Sequence, residues 1–448
     1  IQVAVYTFIL GVSTAWLTAS TSFPGRRILS WALVLPLAAP AYIVAYVYTD
    51  LLEFSGPVQT AIRSAFDLNP GEYYFPQIRS LPGAALVISL VLYPYVYLLS
   101  RVAFSQHSVT LFSAARTLGA TPTRAFFRIA LPAARPAIAG GLTLVLMETL
   151  ADFGVVDYFG VPTFSTGIFR TWFAMGEKAA AMKLAAVMFV FVIVLVTVEK
   201  SLRKKHGTSV LAGDGNFNRM ELKGWQSFAA ALFCCIPVIL GCLLPMSLLL
   251  NYAFTSGDPL LGSTFISYVS NSIWVAGAAA FIAVAVALLL TYAQHLSSNR
   301  VTRSSIQVAT LGYALPGTML AVGLLTPVST LDRWIADFFD AQWGWRVGLI
   351  LTGTTAVLIY AYVVRFLTVA FNSTSSGMAQ IPLAYDQAAR SLGASPRRVI
   401  KQIHFPLMRR SVIAALLLVF VDTMRELPAT LLLRPFNFET LATRVYRL

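Results

Sequence analysis

The chain has 448 residues, of which 57% are hydrophobic and only 12% charged, with a mean hydropathy of +0.71. That balance excludes an ordinary soluble globular protein and a disordered one, both of which carry more charge. Lys and Arg outnumber Asp and Glu 33 to 19, but they are spread between apolar runs rather than gathered on a soluble basic domain, so no nucleic-acid partner is implied.

Taken in chain order, apolar windows long enough to cross a bilayer as helix fall at residues 1–20, 29–49, 84–104, 136–157, 182–201, 227–252, 271–294, 306–329, 346–370 and 410–433. About 20 residues at helical rise are needed to cross the hydrocarbon core. The runs are continuous, whereas the strands of a barrel would alternate apolar and polar residues. The expected fold class is therefore all-α, a polytopic transmembrane helical bundle. Between the first two windows stand Arg26 and Arg27. A long polar stretch, 50–81, with Asp50, Glu53, Asp67 and Glu72, follows the second. Basic residues recur after the third, fifth, seventh and ninth windows, which by the positive-inside rule puts those loops in the cytoplasm. Residue 1 already lies in an apolar run, so the chain is expected to begin part-way into a longer one.

Two of these cytoplasmic loops are copies of each other. AARTLGATPTRAFFRIALP at 114–132 and AARSLGASPRRVIKQIHFP at 388–406 align without a gap, so that Arg116, Leu118, Gly119, Pro122, Arg124, Ile129 and Pro132 return as Arg390, Leu392, Gly393, Pro396, Arg398, Ile403 and Pro406, an offset of 274 residues. Self-similarity at a fixed offset means one structural unit used twice. Six windows, an even number, lie between the copies, so both face one side and the halves are parallel repeats about an axis along the membrane normal. The expected organisation is a first half over 1–205 with its loop at 113–135, a polar linker over 206–226, and a second half over 227–448 with its loop at 387–409. Each half shows about five spans, and six are expected in the intact protein. Each loop reads as helix, turn, helix. Thr121-Pro122 and Ser395-Pro396 look like a cap followed by proline in the first turn, where the missing N–H costs nothing, and Pro132 or Pro406 is expected to end the second helix.

The match runs on into the next window. Glu148 and Asp152 in LVLMETLADFG correspond to Asp422 and Glu426 in LVFVDTMRELP. Residues four apart share a helix face, and a carboxylate inside a bilayer needs a cavity or a partner. Either the four acids line a translocation path or each pairs with a basic residue, such as Arg425, Arg170 or Arg444, and fixes packing. Tyr93, Tyr95 and Tyr97, echoed by Tyr360 and Tyr362, offer further oxygens or serve as interfacial belt residues. Cys234, Cys235 and Cys242 share one apolar window and are read as buried thiols, with no metal and no disulfide. The four histidines lack metal-ligand spacing and are assigned no site. No GxxxxGK[ST] run is present, so this chain does not itself bind ATP through a P-loop.

These loops resemble the signature of the membrane subunits of binding-protein-dependent ATP-binding-cassette importers: an Ala-Ala pair, a Gly four residues on, and Ile-x-Leu-Pro after a further ten. Here these are Ala114-Ala115, Gly119 and Ile129-Ala130-Leu131-Pro132, then Ala388-Ala389, Gly393 and Ile403-His404-Phe405-Pro406. Ser113 and Gln387 stand where Glu often precedes the Ala pair, and Phe405 replaces the usual Leu. The resemblance implies that Ala115, Arg116, Gly119, Pro122 and Pro132, with Ala389, Arg390, Gly393, Pro396 and Pro406, dock onto two copies of a cytoplasmic ATPase that carries the ATP and Mg, while no cofactor is bound by this chain. It also implies a non-enzymatic, multi-pass subunit in the bacterial inner membrane, served by a periplasmic binding protein. The two fused halves, METLADFG and YFGVPTFSTGIFRTWF are similar to the iron(III) branch of that family, in which Glu148, Asp152, Asp422 and Glu426 would touch the ion transiently. Hard Fe(III) suits carboxylate oxygens. Thiamine or a phosphonate are alternative substrates within the class. An ion-driven secondary transporter, with Glu148 and Asp152 relaying protons, is the alternative from another class, and the paired loops argue against it.

Overall fold

The computed structural model describes residues 1–117, 121–204, 220–255, 262–296, 299–345 and 348–447, without the side chains of 106–117, 122–123, 199–204, 263, 383, 390 and 396–397. Its helices are, in order, α1 (Gln2–Ser20), α2 (Arg26–Ala32), α3 (Ala41–Leu52), α4 (Pro57–Phe66), α5 (Leu81–Thr117), α6 (Pro122–Ala125), α7 (Leu131–Ala151), α8 (Gly154–Tyr158), α9 (Phe164–Phe173), α10 (Lys178–Lys204), α11 (Trp225–Val238), α12 (Leu244–Thr255), α13 (Ser263–Leu296), α14 (Arg300–Ala309), α15 (Gly317–Trp343), α16 (Thr355–Ala379), α17 (Leu383–Ser391), α18 (Pro396–Val399), α19 (Phe405–Met424), α20 (Pro428–Leu433) and α21 (Leu441–Arg447). Among the described residues the only sheet is a two-residue parallel pair, with Thr21 opposite Met220 and Ser22 opposite Glu221.

Among the described residues eight helices are long and apolar enough to cross a membrane, and two bent pairs raise the number to ten if each is one span. The all-α polytopic expectation stands. The windows at 29–49 and 306–329 are those bent pairs, turning by 92° and 116°. Pro40 and Pro316 sit at the bends with extended backbone (ψ 130° and 141°) and cap the helix that follows. Proline has no N–H to continue the incoming helix and fixes its own φ. Three windows lie off their spans: the window at 136–157 is a span over Phe126–Ala151, that at 346–370 is one over Thr355–Ala379, and that at 410–433 is one over Ile400–Met424.

Pro132 and Pro406 do not end helices, contrary to expectation. A π-turn at Phe126–Ala130 or Ile400–His404 leads straight into α7 or α19, with the Leu131 N–H donating to Phe126 O and the Phe405 N–H to Ile400 O. The wider turn takes up the extra residue, so that proline enters at the second position of the new segment. The same arrangement recurs at Ile239–Leu243 ahead of Pro245.

The chain folds as two compact units that do not follow the sequence halves: residues 1–167 with 190–258, and 168–189 with 259–448. In the first unit α5 is central, with Tyr93, Val96 and Tyr97 buried against α1 and the segment around Leu33. The Tyr93 and Tyr97 hydroxyls donate to Leu33 O (2.9 Å) and Ser30 O (3.0 Å). These tyrosines are therefore core anchors. The span at 227–252, assigned by sequence to the second half, packs in this unit, where Tyr48 donates to Leu240 O at 2.7 Å. In the second unit α16 takes the central place against α13 and α19. Ala279, Ala283 and Ala287 form a fully buried stripe on α13. Small residues let helix backbones approach closely where lipid offers no hydrophobic drive.

Candidate translocation path and coupling elements

The acids at equivalent positions share a local role. Asp152 ends α7, and its Oδ2 accepts the Val156 N–H of α8 at 3.2 Å. Glu426 follows α19, and its Oε1 accepts the Ala429 N–H of α20 at 3.2 Å. Each carboxylate meets the open N–H groups of a short helix behind a break, where negative charge is favoured. Glu426 also faces Arg365 of α16 across 3.4 Å, with both side chains less than a tenth exposed. A methyl group on Gly317 would come within 2.5 Å of Glu426 Oε1 and 2.7 Å of Arg365 Nη1, so a side chain there would have to displace the ends of that pair.

One turn earlier on the same faces stand Glu148 and Asp422. Both are partly exposed, and Asp422 pairs with Arg425. Of the four expected path acids, Glu426 is held inside the second unit by its arginine and Asp152 by a helix terminus. Glu148 and Asp422 retain access. Among the basic partners suggested by sequence, Arg425 takes Asp422 and Arg444 lies over Tyr268 instead (5.9 Å). Arg365, the partner of Glu426, was missed. It is 61 positions away on α16, which meets the end of α19 only once the helices have packed.

Both coupling loops keep the predicted order. Thr121 O accepts the Ala125 N–H at 2.9 Å, and Ser395 O accepts those of Arg398 (2.9 Å) and Val399 (3.0 Å), so α6 and α18 start where the Thr-Pro and Ser-Pro pairs stand. Gly119 and the side chains of Ala115, Arg116, Pro122, Arg390 and Pro396 lie outside the described residues. In the second loop Gly393 has φ +75° and joins α17 to α18 in a conformation that side chains resist. Ala389 is buried. Tyr385, Ala389, Leu392, Val399, Ile403 and Pro406 border an open apolar groove of about 580 Å³.

Two of the histidines, which lack metal-ligand spacing along the sequence, meet around one carboxylate in space. His295 Nε2 lies 2.5 Å from Asp386 Oδ2, and His404 Nε2 lies 2.7 Å from Asp386 Oδ1. Burial alone would raise the Asp386 pKa, but the contacts to His295 and His404 outweigh it and hold the carboxyl below its usual range. Sequence spacing concealed the cluster, since the residues are 91 and 18 apart. A signal was present all the same. His295 continues the four-residue spacing of Ala279, Ala283, Ala287 and Thr291, the inward face of α13.

Residues 8–200 match the family of binding-protein-dependent transport system inner membrane components. The second loop repeats the first at a constant offset. The chain is similar to these importer permeases. The permease is 26% identical over 447 residues to the Fe(3+)-transport system permease protein FbpB 2 of Haemophilus influenzae, covering 98% of this chain and 80% of the relative. It is 24% identical over 422 residues to the ferric transport system permease protein FbpB of Actinobacillus pleuropneumoniae, of which it spans less than two thirds (58%). The molybdenum transport system permease protein ModB of Escherichia coli is 32% identical over 149 residues, a third of this permease (33%) and 62% of the relative.

Proposed function

We propose that this permease is the membrane subunit of an ATP-driven importer that carries ferric iron across the bacterial inner membrane by alternating access. The observation that carries the reading is the extent of similarity: relatives named for ferric transport align along nearly the whole chain, whereas the molybdenum relative aligns with one third. A periplasmic binding protein would deliver the ion. The two turns at 114–132 and 388–406 would each receive one ATPase subunit, with ATP and Mg held by that partner. The second loop supports this, because its left-handed Gly393 presents an apolar groove of the kind a partner helix or cleft would cover.

Glu148 and Asp422 would line the ion path, with Asp152 and Glu426 holding the helix breaks that shape it. A hard trivalent ion favours carboxylate oxygen, and the partial exposure of Glu148 and Asp422 suits a transient contact. The test is reconstitution with binding protein and ATPase in proteoliposomes. The double variant Glu148→Gln/Asp422→Asn should lose iron uptake by at least tenfold while ATP hydrolysis and assembly persist. Unchanged iron uptake would remove the path assignment, and uptake of thiamine or a phosphonate in place of iron would remove the substrate.

A further inference from the structure

His295, Asp386 and His404 come from three separate elements at the coupling-loop end of the second unit, and the transport reading uses none of them. His295 closes the inward face of α13, Asp386 lies in the first turn of α17, and His404 ends the π-turn before α19. One ligand atom from each lies within 4.8 Å of the other two. The two imidazole rings are 5.3 Å apart and nearly perpendicular (83°), so their nitrogens approach the carboxylate from different directions. His404 is 3% exposed and Asp386 8%.

Packing does not explain the trio. The 274-residue offset puts Thr21, Phe112 and Ala130 at the equivalent positions of the first repeat, so the same sequence motif is built there without imidazole or carboxylate. His404 Nδ1 is buried with no hydrogen-bond partner among the described residues, leaving Nε2 as the ring's polar contact. A buried unsatisfied nitrogen carries an uncompensated desolvation cost, which an apolar residue would avoid.

We propose that His295, Asp386 and His404 bind one divalent transition-metal ion of borderline softness, such as Zn(II) or Fe(II), through two imidazole nitrogens and one carboxylate oxygen. Imidazole with carboxylate is the donor set such ions take, and three protein ligands leave a further position for water. Bonds of about 2.0–2.2 Å to N and O place the donors of a tetrahedral site roughly 3.4 Å apart. The present Nε2–Oδ separations of 2.5 and 2.7 Å therefore need to open by less than about 1 Å, a change within reach of rotation of the Asp386 side chain. Ligation through Nε2 needs each ring neutral with its proton on Nδ1, so an Nε2 proton shifts to Nδ1 or, from an imidazolium, passes to solvent as the ion enters. The bound ion would tie the end of α13 to both arms of the second coupling loop, and to that loop alone.

The test uses the full chain without a polyhistidine tag, stripped of metal in lipid nanodiscs and titrated with Co(II) as a spectroscopic probe. One equivalent should bind with the visible absorption of a low-coordinate nitrogen and oxygen site, and Zn(II) should displace it. His295→Gln and Asp386→Asn should each weaken Co(II) binding at least about 100-fold, since loss of mere outer-shell partners already costs 10–100-fold. His107→Gln/His206→Gln should bind like the parent. Failure of the parent to bind one equivalent overturns the proposal without recourse to any variant. So does binding that survives His295→Gln and Asp386→Asn, or that disappears with His107 and His206.

Discussion

At Arg365 and Glu426 a full pair of charges is enclosed within a membrane-spanning unit, with side-chain exposures of 8% and 7%. Removing one partner strands the other, so Arg365→Met should cost about 3–5 kcal/mol, measured as thermal unfolding of the purified protein. Adding Glu426→Gln to Arg365→Met should restore part of that loss, because the stranded charge goes while the acceptor for the Ala429 N–H stays. Outside the spans, Glu439 meets Arg434 and Arg447 and accepts from Thr443. Burial would raise its pKa, but these partners hold it below the ordinary carboxylate value. A carboxyl depressed in the folded state stabilises fully above its unfolded pKa and loses that contribution as pH falls through the folded value. Proteolysis around α21 should therefore rise on acidification below the usual carboxylate range, and Glu439→Gln should flatten that dependence.

Among the elements, the coupling loops and the proline-bearing turns are set by backbone chemistry. Gly393 stands at φ +75° with open space around a notional Cβ, so the cost of a side chain there is conformational rather than steric crowding. Gly393→Val should impose about 1–3 kcal/mol of backbone strain, whereas Gly393→Asn, which tolerates the left-handed region, should impose less. The double variant Gly119→Val/Gly393→Val should leave ATP hydrolysis running without uptake, and normal uptake with the protein still in the membrane would refute a docking role. The three turns FFRIALP, ILGCLLP and IKQIHFP each place a π-turn just ahead of Leu-Pro or Phe-Pro. Pro132→Ala and Pro406→Ala remove the residue that cannot donate to the preceding turn. They should let the helix tighten to regular α geometry and rotate the coupling arm, with hydrogen exchange at 126–130 and 400–404 slowing.

For the whole molecule, a single chain supplies two units of like construction. The central α5 and α16, the spans that follow them, and the short α8 and α20 recur at an offset of 274 residues. The expected assembly contains one copy of this chain with two ATPase subunits, and native mass spectrometry showing two copies of the permease would overturn that count. The units differ where the sequence differs. Thr21, Phe112 and Ala130 in one stand against His295, Asp386 and His404 in the other, so the two loops are not interchangeable.

Hydropathy and the repeat by themselves determined that the protein crosses a membrane as helices, where the acids and coupling turns lie, and that the halves are related. Each of these depends on local composition or on self-comparison, which need no knowledge of neighbours. Tertiary structure decided what depends on partners. It placed residues 227–252 in the first unit, because hydropathy says that a span is apolar enough to cross and not which helix it packs against. It turned Tyr93 and Tyr97 into core anchors, since a hydroxyl's role depends on the carbonyl it reaches. It gave Glu426 to Arg365 and brought His295 and His404 onto Asp386, because charges distant along the chain become neighbours only after the helices have packed.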